Sequence, residues 1–289
     1  MNLSSPSEIK ALLEQNGFRF SKALGQNFLI NPSVCPRMAE AAVPGPGYGV
    51  IEVGPGIGVL TVELARRAEK VVSVELDERL LPILQETLAD CPNAKVVSGD
   101  ILETDLHKLI ADEFTRPDGT LMPLVLCANL PYYITSPVLM KLLSEDLPLE
   151  SVTVMVQREA ADRLCAEVGT RAAGAVTVAV QYYAEAEQLF FVSKGSFLPA
   201  PKVDSEVIRL TLRERRGDSF DAAGFFRMVQ AGFSQRRKTI MNSFSAALGM
   251  SKADLGDLLD SLDIPRTARI EQLTMDQLIA VYKTAYKVV

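Results

Sequence analysis

Short runs of β-branched and other apolar residues alternate with amphipathic segments along the chain from Gly49 onward. Alternation of this kind is typical of a mainly parallel sheet whose faces are covered by helices. Seven runs are predicted to be strands: 49–53, 70–76, 94–99, 124–129, 151–157, 189–193 and 205–213. Helices are predicted before and between them, at 33–42, 58–68, 78–89, 136–145, 158–166 and 173–184. We therefore expect an α/β fold with a doubly wound, seven-stranded, Rossmann-like domain.

The pattern changes after the last predicted strand. Residues 213–219, RERRGDS, are polar and contain Gly217, and only helical periodicity follows them. Four helices are predicted there, at 221–233, 235–248, 251–261 and 274–287. The chain is therefore expected to form two domains, residues 1–213 with the sheet and residues 214–289 as a small all-α domain.

The chain carries a net charge of −6, which by itself argues against a nucleic-acid partner, because phosphate binding depends on cationic side chains. The charge is unevenly distributed, however. Residues 1–213 contain 19 basic and 27 acidic residues, whereas residues 214–289 contain 11 and 9. Residues 222–253 contain no acidic residue and include Arg236, Arg237 and Lys238. This segment fits either a solvated helix face or a local cationic surface for a nucleic-acid partner.

The four cysteines, Cys35, Cys91, Cys127 and Cys165, show no CxxC spacing, so neither a zinc site nor a disulfide framework is indicated. We expect reduced thiols and no bound metal. The N-terminal segment lacks the basic-then-apolar layout of a signal peptide, and no apolar run approaches the roughly 20 residues of a membrane helix. The sequence thus favours a cytoplasmic protein that does not enter a membrane.

A glycine-rich turn follows the first predicted strand, where the chain reads Glu52-Val53-Gly54-Pro55-Gly56-Ile57-Gly58 and then enters a predicted helix. Glycines in such a turn let a ligand approach the backbone closely, because no Cβ stands in the way. Glu75 lies at the end of the second strand, 21 positions after Gly54, where a carboxylate can accept hydrogen bonds from both ribose hydroxyls. Asp100 follows the third strand and is placed to bind the exocyclic amine of an adenine.

The order of these features on three successive strands favours a nucleotide-like cofactor over a purely structural turn. Two cofactors compete for the assignment. NAD requires the spacing GxGxxG, and here Val59 holds the place of the last glycine. The GxGxG spacing favours S-adenosylmethionine instead. The predicted cofactor-binding residues from this region are Gly54, Gly56, Glu75 and Asp100.

The tetrapeptide Asn129-Leu130-Pro131-Tyr132 follows the fourth predicted strand and indicates the reaction. An exocyclic adenine amine is a poor nucleophile, because its lone pair is delocalised into the ring. The Asn129 amide oxygen and the Leu130 carbonyl offer two acceptors for the N–H groups of the amine, which frees the lone pair, while Pro131 holds the chain. Tyr132 offers a face on which a flipped base can stack. The alternative interpretation is a proline turn after a strand.

Methyl transfer from a sulfonium is an in-line displacement, in which the enzyme mainly has to position the amine and exclude water. No strong general base is required. This fits a chain with a single histidine, His107, which lies in a polar stretch and is interpreted as a structural or surface residue. The residues themselves predict methyl transfer to an adenine-type amine, most simply in a polynucleotide.

With these motifs in place, the chain closely resembles the ribosomal RNA adenine dimethyltransferases over nearly its whole length, in particular the bacterial members that act on small-subunit RNA. The segment Leu24-Gly25-Gln26-Asn27-Phe28-Leu29 is similar to the family's N-terminal cofactor motif. The resemblance implies that Gln26, Asn27 and Leu29 contact the methionine end of the cofactor. Gly54, Glu75, Asp100 and Asn129 fall on the family's cofactor and catalytic positions, so Asn129 is expected to contact the cofactor as well.

Two further segments carry the resemblance. Residues 197–205, FLPAPKVDS, resemble a late family motif whose phenylalanine helps to sandwich the target base, although Phe197 would equally suit a core position. Where family members carry Pro-Pro-Pro-Lys, this chain has an alanine at position 200. Residues 233–243 match the family's C-terminal domain, and their Arg236, Arg237 and Lys238 are predicted to bind RNA. Antibiotic-resistance methyltransferases of large-subunit RNA typically lack this basic pattern.

The resemblance implies dimethylation of two adjacent adenosines in a hairpin near the 3′ end of small-subunit ribosomal RNA. The implied partner is the 30S subunit, and the enzyme is expected to act as a monomer. Alternatives stay open: a large-subunit RNA adenine methyltransferase, a non-catalytic ribosome-assembly or transcription factor on the same fold, and an NAD oxidoreductase.

Overall fold

A computed structural model describes residues 3–21, 25–214 and 221–286. The strands are β1 (Phe28–Leu29), β2 (Gly49–Val53), β3 (Lys70–Glu75), β4 (Ala94–Ser98), β5 (Leu124–Asn129), β6 (Leu149–Gln157), β7 (Ala184–Val192), β8 (Phe197–Leu198) and β9 (Ser205–Leu212). The helices are α1 (Pro6–Gln15), α2 (Val34–Ala42), α3 (Val59–Ala65), α4 (Leu81–Thr87), α5 (Leu106–Phe114), α6 (Thr135–Ser144), α7 (Arg158–Leu164), α8 (Ala175–Tyr183), α9 (Ala222–Ser234), α10 (Ile240–Leu248), α11 (Lys252–Ser261) and α12 (Met275–Ala285).

The predicted seven-stranded α/β sheet is confirmed, with the strand order β4-β3-β2-β5-β6-β9-β7. Five neighbouring strands, from β4 to β6, are parallel, and β9 runs antiparallel to β6. In the register of the sheet, Val53 pairs with Val74 on one side and with Ala128 on the other. The carboxyl ends of β2, β3 and β5 therefore meet at one edge of the sheet, where open α/β sheets bind their ligands.

Burial explains why these runs form strands. All five residues of β2 are buried, and Val50 and Ile51 have no exposed surface at all. Strands buried on both faces are continuous apolar runs. Six of the seven predicted strands agree with the observed bounds to within two residues. β7 is the exception, because it begins at Ala184, five residues before its predicted start, and most of its residues are partly or fully exposed.

Two helices were not predicted. α1 begins after Ser5, whose hydroxyl accepts a hydrogen bond from the Glu8 N–H, and it buries Ile9 and Leu12. α5 begins after Asp105, which caps it in the same way through the Lys108 N–H. His107 lies on α5, is exposed, and has Nε2 at 2.7 Å from the Glu145 carbonyl oxygen. The predicted surface position of this histidine agrees with the structure, whereas the helix on which it lies was not predicted.

The chain forms two compact units. The first comprises the described residues of Met1–Ala161 and Ala186–Leu212, and the second those of Asp162–Glu185 and Arg213–Val289. This differs from the predicted linear division after residue 213, because residues 162–185 group with the C-terminal helices. Val178 and Tyr182 of α8 are buried in the same apolar cluster as Phe225 of α9. Which unit binds RNA stays a prediction.

The predicted helix at 235–248 is wrong in its first five residues. α9 ends at Ser234, a turn follows, and α10 begins only at Ile240. Residues 235–239 are polar or charged and lack the apolar side chains that attach a helix to a core, whereas Ile240 is fully buried. Within the described part of the chain, no helix is long and apolar enough to span a membrane.

Candidate active site

A cleft of about 1060 Å³, its open mouth included, lies at the carboxyl edge of β2, β3 and β5 in the first unit. Every cofactor and catalytic residue predicted from the sequence lines it: Gln26, Asn27, Leu29, Gly54, Gly56, Glu75, Asp100, Asn129, Leu130, Pro131, Tyr132 and Phe197. These residues come from six separated segments of the chain. Leu24, the first residue of the N-terminal motif, lies outside the described residues.

The turn after β2 presents bare backbone to the cleft. Gly54, Gly56 and Gly58 have φ angles of 65°, 61° and 87°, in the left-handed region that side chains other than glycine disfavour. A Cβ on Gly54 would have no atom within 4 Å, so the space beside this residue is open. The turn leads directly into α3, for which Gly58 is the N-terminal cap. This arrangement lets a ligand lie against the peptide backbone.

Glu75 is buried at the end of β3, and two backbone groups hold its carboxylate. The Gly56 N–H donates to Oε2 at 3.2 Å, and the Asp77 N–H donates to Oε1 at 2.8 Å. Burial raises the pKa of Glu75 above its ordinary value, and these two hydrogen bonds oppose the rise. A carboxylate has about four acceptor sites, so Glu75 can still accept hydrogen bonds from a diol.

Asp100 and Asn129 supply polar groups at the next strand ends. Asp100 Oδ1 accepts the Leu102 N–H at 2.9 Å, while no described residue donates to the other oxygen. Asn129 is the last residue of β5, and its side-chain amide forms no hydrogen bond with any described residue. Both residues are half-buried. The cleft therefore holds two polar side chains with unused hydrogen-bonding capacity.

Tyr132 is fixed by its hydroxyl, which lies 2.8 Å from Ser205 Oγ on β9. The ring is half-buried, and burial raises the pKa of its phenol, with the Ser205 hydrogen bond opposing the rise. The side chain of the neighbouring Leu130 is buried, and this holds the backbone of Leu130, with its carbonyl group, in place. The Tyr132 hydroxyl is therefore held by Ser205, while the residue lines the cleft.

Phe197 and Leu29 face each other across the small two-stranded sheet of β1 and β8, in which Leu29 pairs with Phe197. Phe197 is only 3% exposed and belongs to the apolar core, yet it also lines the cleft. The two interpretations drawn from the sequence are therefore compatible in the structure. A stacking role toward a base stays a prediction.

The N-terminal motif also contributes side chains. Asn27 lines the cleft and donates from Nδ2 to the Gly25 carbonyl at 2.9 Å. Gln26 lines it too, but both ends of its amide have partners: Oε1 accepts the Ser21 N–H at 2.9 Å, and Nε2 donates to Asp77 Oδ2 at 2.7 Å.

A buried carboxyl lies next to the glycine turn and was not predicted from the sequence. Glu52 is 1% exposed, and its Oε2 accepts hydrogen bonds from Thr61 Oγ1 at 2.7 Å and Ser73 Oγ at 2.6 Å. Its Oε1 is buried and has no partner. Burial raises the pKa of Glu52 to about 7, while the two hydroxyls oppose the rise and the charge of Glu75 adds to it. Its charged side chain inside the apolar run GVIEV is the sequence signal that could have identified it.

The predicted RNA-binding cluster lies in the second unit, in the turn between α9 and α10. Arg236 is largely engaged: its Nε lies 3.5 Å from Glu271 Oε2, and its guanidinium also donates to the Arg171 carbonyl. Arg237 and Lys238 are exposed, and their side chains have no described partner. Among the described residues, no group of three or more histidine, cysteine, aspartate or glutamate side chains is placed to hold a metal ion.

Comparison with known proteins gives the family. A sequence model of "Ribosomal RNA adenine dimethylase" matches residues 17–287. The chain is 44% identical over 283 residues to "Ribosomal RNA small subunit methyltransferase A" of Geobacillus sp. (strain WCH70), with 96% of each chain covered. It is 48% identical over 243 residues to the protein of the same name from Anoxybacillus flavithermus, which covers 84% of this chain and 81% of that one.

Solved structures agree with this assignment. A dimethyladenosine transferase from Plasmodium falciparum aligns with a TM-score of 0.73 at 25% identity, covering 90% of this chain and 97% of the other. The 23S rRNA methyltransferase ErmE aligns with a TM-score of 0.64 at 28% identity, covering 90% of this chain and all of the other. The chain belongs to the ribosomal RNA adenine dimethylase family.

Proposed function

We propose that this protein uses S-adenosylmethionine to dimethylate the N6 amines of two adjacent adenosines in small-subunit (16S) ribosomal RNA, as a step of ribosome biogenesis. One observation carries the proposal: Asn129-Leu130-Pro131-Tyr132 lines the same cleft as the glycine turn, Glu75 and Asp100. The names of the relatives at 42–48% identity point to the small subunit.

The residues present fit S-adenosylmethionine. The open space beside Gly54 accommodates a ligand against the backbone, the two Glu75 oxygens suit ribose hydroxyls, and the unused oxygen of Asp100 suits an adenine amine. Gln26, Asn27, Leu29 and Asn129 are assigned to the methionine end. When bound, S-adenosylmethionine supplies an electrophilic methyl group on a sulfonium.

The protein's own contribution is to orient the amine and exclude water. The free amide oxygen of Asn129 and the Leu130 carbonyl accept the two N–H groups of the target, so that the nitrogen lone pair is directed into the cleft. Tyr132 stacks on the flipped base, and Phe197 closes its other side. Because Ser205 fixes the Tyr132 hydroxyl, the stacking ring is held before the base arrives.

The substrate is proposed to be the 30S subunit, bound by a monomer in the cytoplasm. Arg237 and Lys238 are proposed to contact RNA phosphates, and Arg236 to hold the turn that presents them. The domain assignment follows the compact units, with the first unit carrying the methyltransferase site and the second contributing RNA contacts.

A large-subunit substrate is the nearest competing assignment, since ErmE shares the fold. Its identity of 28% is well below that of the small-subunit relatives. The uninterrupted catalytic tetrapeptide weighs against a non-catalytic factor. Tritiated S-adenosylmethionine offered with unmethylated small or large subunits separates the two substrates, because label is expected in small-subunit RNA alone. Label confined to large-subunit RNA would reverse the assignment.

The cofactor assignment is tested by calorimetry on the Glu75→Ala variant. Loss of the carboxylate removes the charged acceptor for the ribose hydroxyls, so S-adenosylmethionine binding is expected to be abolished. The unmodified protein is titrated with NAD in parallel and should not bind it. Unchanged affinity of the variant, or tight binding of NAD, would contradict the assignment.

A further inference from the structure

Asp77, which was not singled out from the sequence, contacts the N-terminal motif, the end of β3 and Arg79. Its Oδ2 accepts a hydrogen bond from Gln26 Nε2 at 2.7 Å, and its own N–H donates to Glu75 Oε1 at 2.8 Å. Arg79 binds the same carboxylate with two nitrogens, Nε to Oδ1 at 2.7 Å and Nη2 to Oδ2 at 2.6 Å. The Asp77 side chain is 5% exposed, so these contacts are sheltered from solvent.

Arg79 lies outside the cleft but reaches the N-terminal segment. Its side chain is 52% exposed, its guanidinium lies 5.1 Å from the centre of the Phe18 ring, and Nη1 is 3.4 Å from the Arg19 carbonyl oxygen. The Arg79 guanidinium thus binds Asp77 while contacting the segment before the N-terminal motif. A bidentate guanidinium–carboxylate pair fixes orientation as well as distance.

Gln26 links Asp77 to the motif residues of the cleft. Its Nε2 is held by Asp77, its Oε1 by the Ser21 N–H, and it immediately precedes Asn27. The family resemblance assigns Gln26 to the cofactor, and in the structure each end of its amide already has one partner within the protein. Asp77 therefore holds the N-terminal motif through Gln26 and the ribose-binding carboxylate through its own N–H.

We propose that Asp77 is a positioning residue for cofactor binding, acting through Gln26 and Glu75 and itself oriented by Arg79. The proposal rests on the proposed cofactor site. The contacts of Gln26, Asp77 and Arg79 hold the segment that carries Asn27 and Leu29 against the end of β3, which carries Glu75. Both sides of the site are therefore in place before the cofactor enters. Such preorganisation raises affinity, because less conformational freedom is lost on binding.

The charge of Asp77 is part of this role. Arg79 and, to a smaller extent, Gln26 hold the pKa of Asp77 below its ordinary value, so the group is ionised at neutral pH. In an Asp77→Asn variant, the amide nitrogen would face an Arg79 donor in either orientation, and the Gln26 donor as well in one of them, so at least one of these hydrogen bonds would be lost. Glu113 offers a matched control, since it bridges Lys70 and Lys95 at the amino end of the sheet, away from the cleft.

The test is a double-mutant cycle on the full-length protein, read out as calorimetric affinity for S-adenosylhomocysteine. Asp77→Asn and Gln26→Met are each expected to weaken binding by about tenfold, the equivalent of one charge-assisted hydrogen bond. If Gln26 acts through Asp77, the double variant binds no more weakly than the weaker-binding single variant. Steady-state methylation should show a raised KM for S-adenosylmethionine with kcat within about threefold, as expected for lost binding alone.

Glu113→Gln should leave the affinity unchanged. Arg79→Met tests the same idea at an exposed residue outside the cleft and replaces Asp77→Asn if that variant does not fold; it too should weaken binding. Unchanged affinity of Asp77→Asn or Arg79→Met, additive effects in the double variant, or an equal loss in Glu113→Gln would overturn the proposal. Failure of the unmodified protein to bind S-adenosylhomocysteine would instead refute the proposed function.

Discussion

Among single residues, Glu52 is in an unfavourable environment for a charged carboxylate. It combines almost complete burial with one carboxylate oxygen that has no partner. Thr61 and Ser73 satisfy only the other oxygen. A buried carboxyl in this situation keeps its proton to a higher pH, which is why the pKa of Glu52 rises to about 7.

This environment predicts a pH-dependent stability. The folded-state pKa of Glu52 lies above its unfolded value, so the folded protein binds more protons and its stability falls as pH rises from about 4.5 to about 7. The full effect amounts to about 3 kcal/mol. Glu52→Gln keeps an acceptor for the two hydroxyls but does not ionise. Thermal unfolding between pH 5 and pH 8 should therefore show a smaller decline for the variant, and parallel curves for both proteins would contradict this.

Asn129, by contrast, has a side-chain amide that forms no hydrogen bond with any described residue. Asn129→Ala is expected to reduce methyl transfer by orders of magnitude, because the target amine loses an acceptor that orients it. The melting temperature should change little, since no described residue depends on the amide. Single-turnover methylation at saturating S-adenosylmethionine measures the effect while allowing for some lost cofactor affinity. Near-normal turnover would remove Asn129 from the mechanism.

At the scale of elements, the turn between α9 and α10 changes how the basic cluster is interpreted. Three consecutive cations on one helix would point about 100° apart, whereas the turn separates an engaged Arg236 from exposed Arg237 and Lys238. Arg236 therefore belongs to the scaffold of the second unit, and the other two residues are available for phosphates.

Arg237→Ala combined with Lys238→Ala should weaken binding to small subunits and flatten its salt dependence, by about 0.7 to 0.9 in log–log slope per lost phosphate contact. Arg66→Ala combined with Lys108→Ala removes the same charge from exposed ion pairs of the first unit and serves as the control. Affinity for S-adenosylhomocysteine should be unchanged in both. An equal salt-dependence slope for the two double variants would show that Arg237 and Lys238 are ordinary solvated surface residues and do not contact RNA.

Arg236→Ala is expected to act differently. It removes an ion pair with Glu271 and a hydrogen bond to the Arg171 carbonyl, so it should lower stability by about 0.5 to 1 kcal/mol, as partly exposed pairs do. Chemical denaturation measures this, with the Arg237→Ala and Lys238→Ala variant as the comparison. Greater loss of stability in that variant than in Arg236→Ala would contradict the scaffold role.

Elements whose sequence pattern is local were predictable, and elements defined by distant partners were not. The buried strands β2 and β5 were predicted to the residue, because a continuous apolar run is visible without knowing its neighbours. β1 and β8 have two residues each and exist only because Leu29 meets Phe197, far away in sequence. No local pattern encodes such a pair.

On the scale of the whole molecule, the site could be predicted because the sequence pattern predicts the topology of the sheet. Parallel strands bring their carboxyl ends to one edge, so residues at or just after the ends of β2, β4 and β5, such as Gly54, Asp100 and Asn129, meet in one cleft. What the order of strands does not provide is the set of contacts between loops. Gln26 and Asp77 are 51 positions apart, and only the folded structure shows that they are bonded.

The sequence pattern likewise predicted only part of how the helices divide between the two units. A change from alternating to purely helical periodicity located the boundary near residue 213. It did not show that α8 packs with the C-terminal helices, because the apolar face that carries Val178 and Tyr182 fits either unit equally well by pattern. The choice depends on the aromatic partners that α9 provides, including Phe225.

The most direct test of the proposed function is to map methyl groups after incubating the protein and S-adenosylmethionine with unmethylated small ribosomal subunits. Mass spectrometry of the RNA fragments is expected to show two methyl groups on the N6 nitrogen of each of two adjacent adenosines near the 3′ end, and none with Asn129→Ala. Methylation at any other nucleotide, or of large-subunit RNA in place of the small subunit, would contradict the proposal.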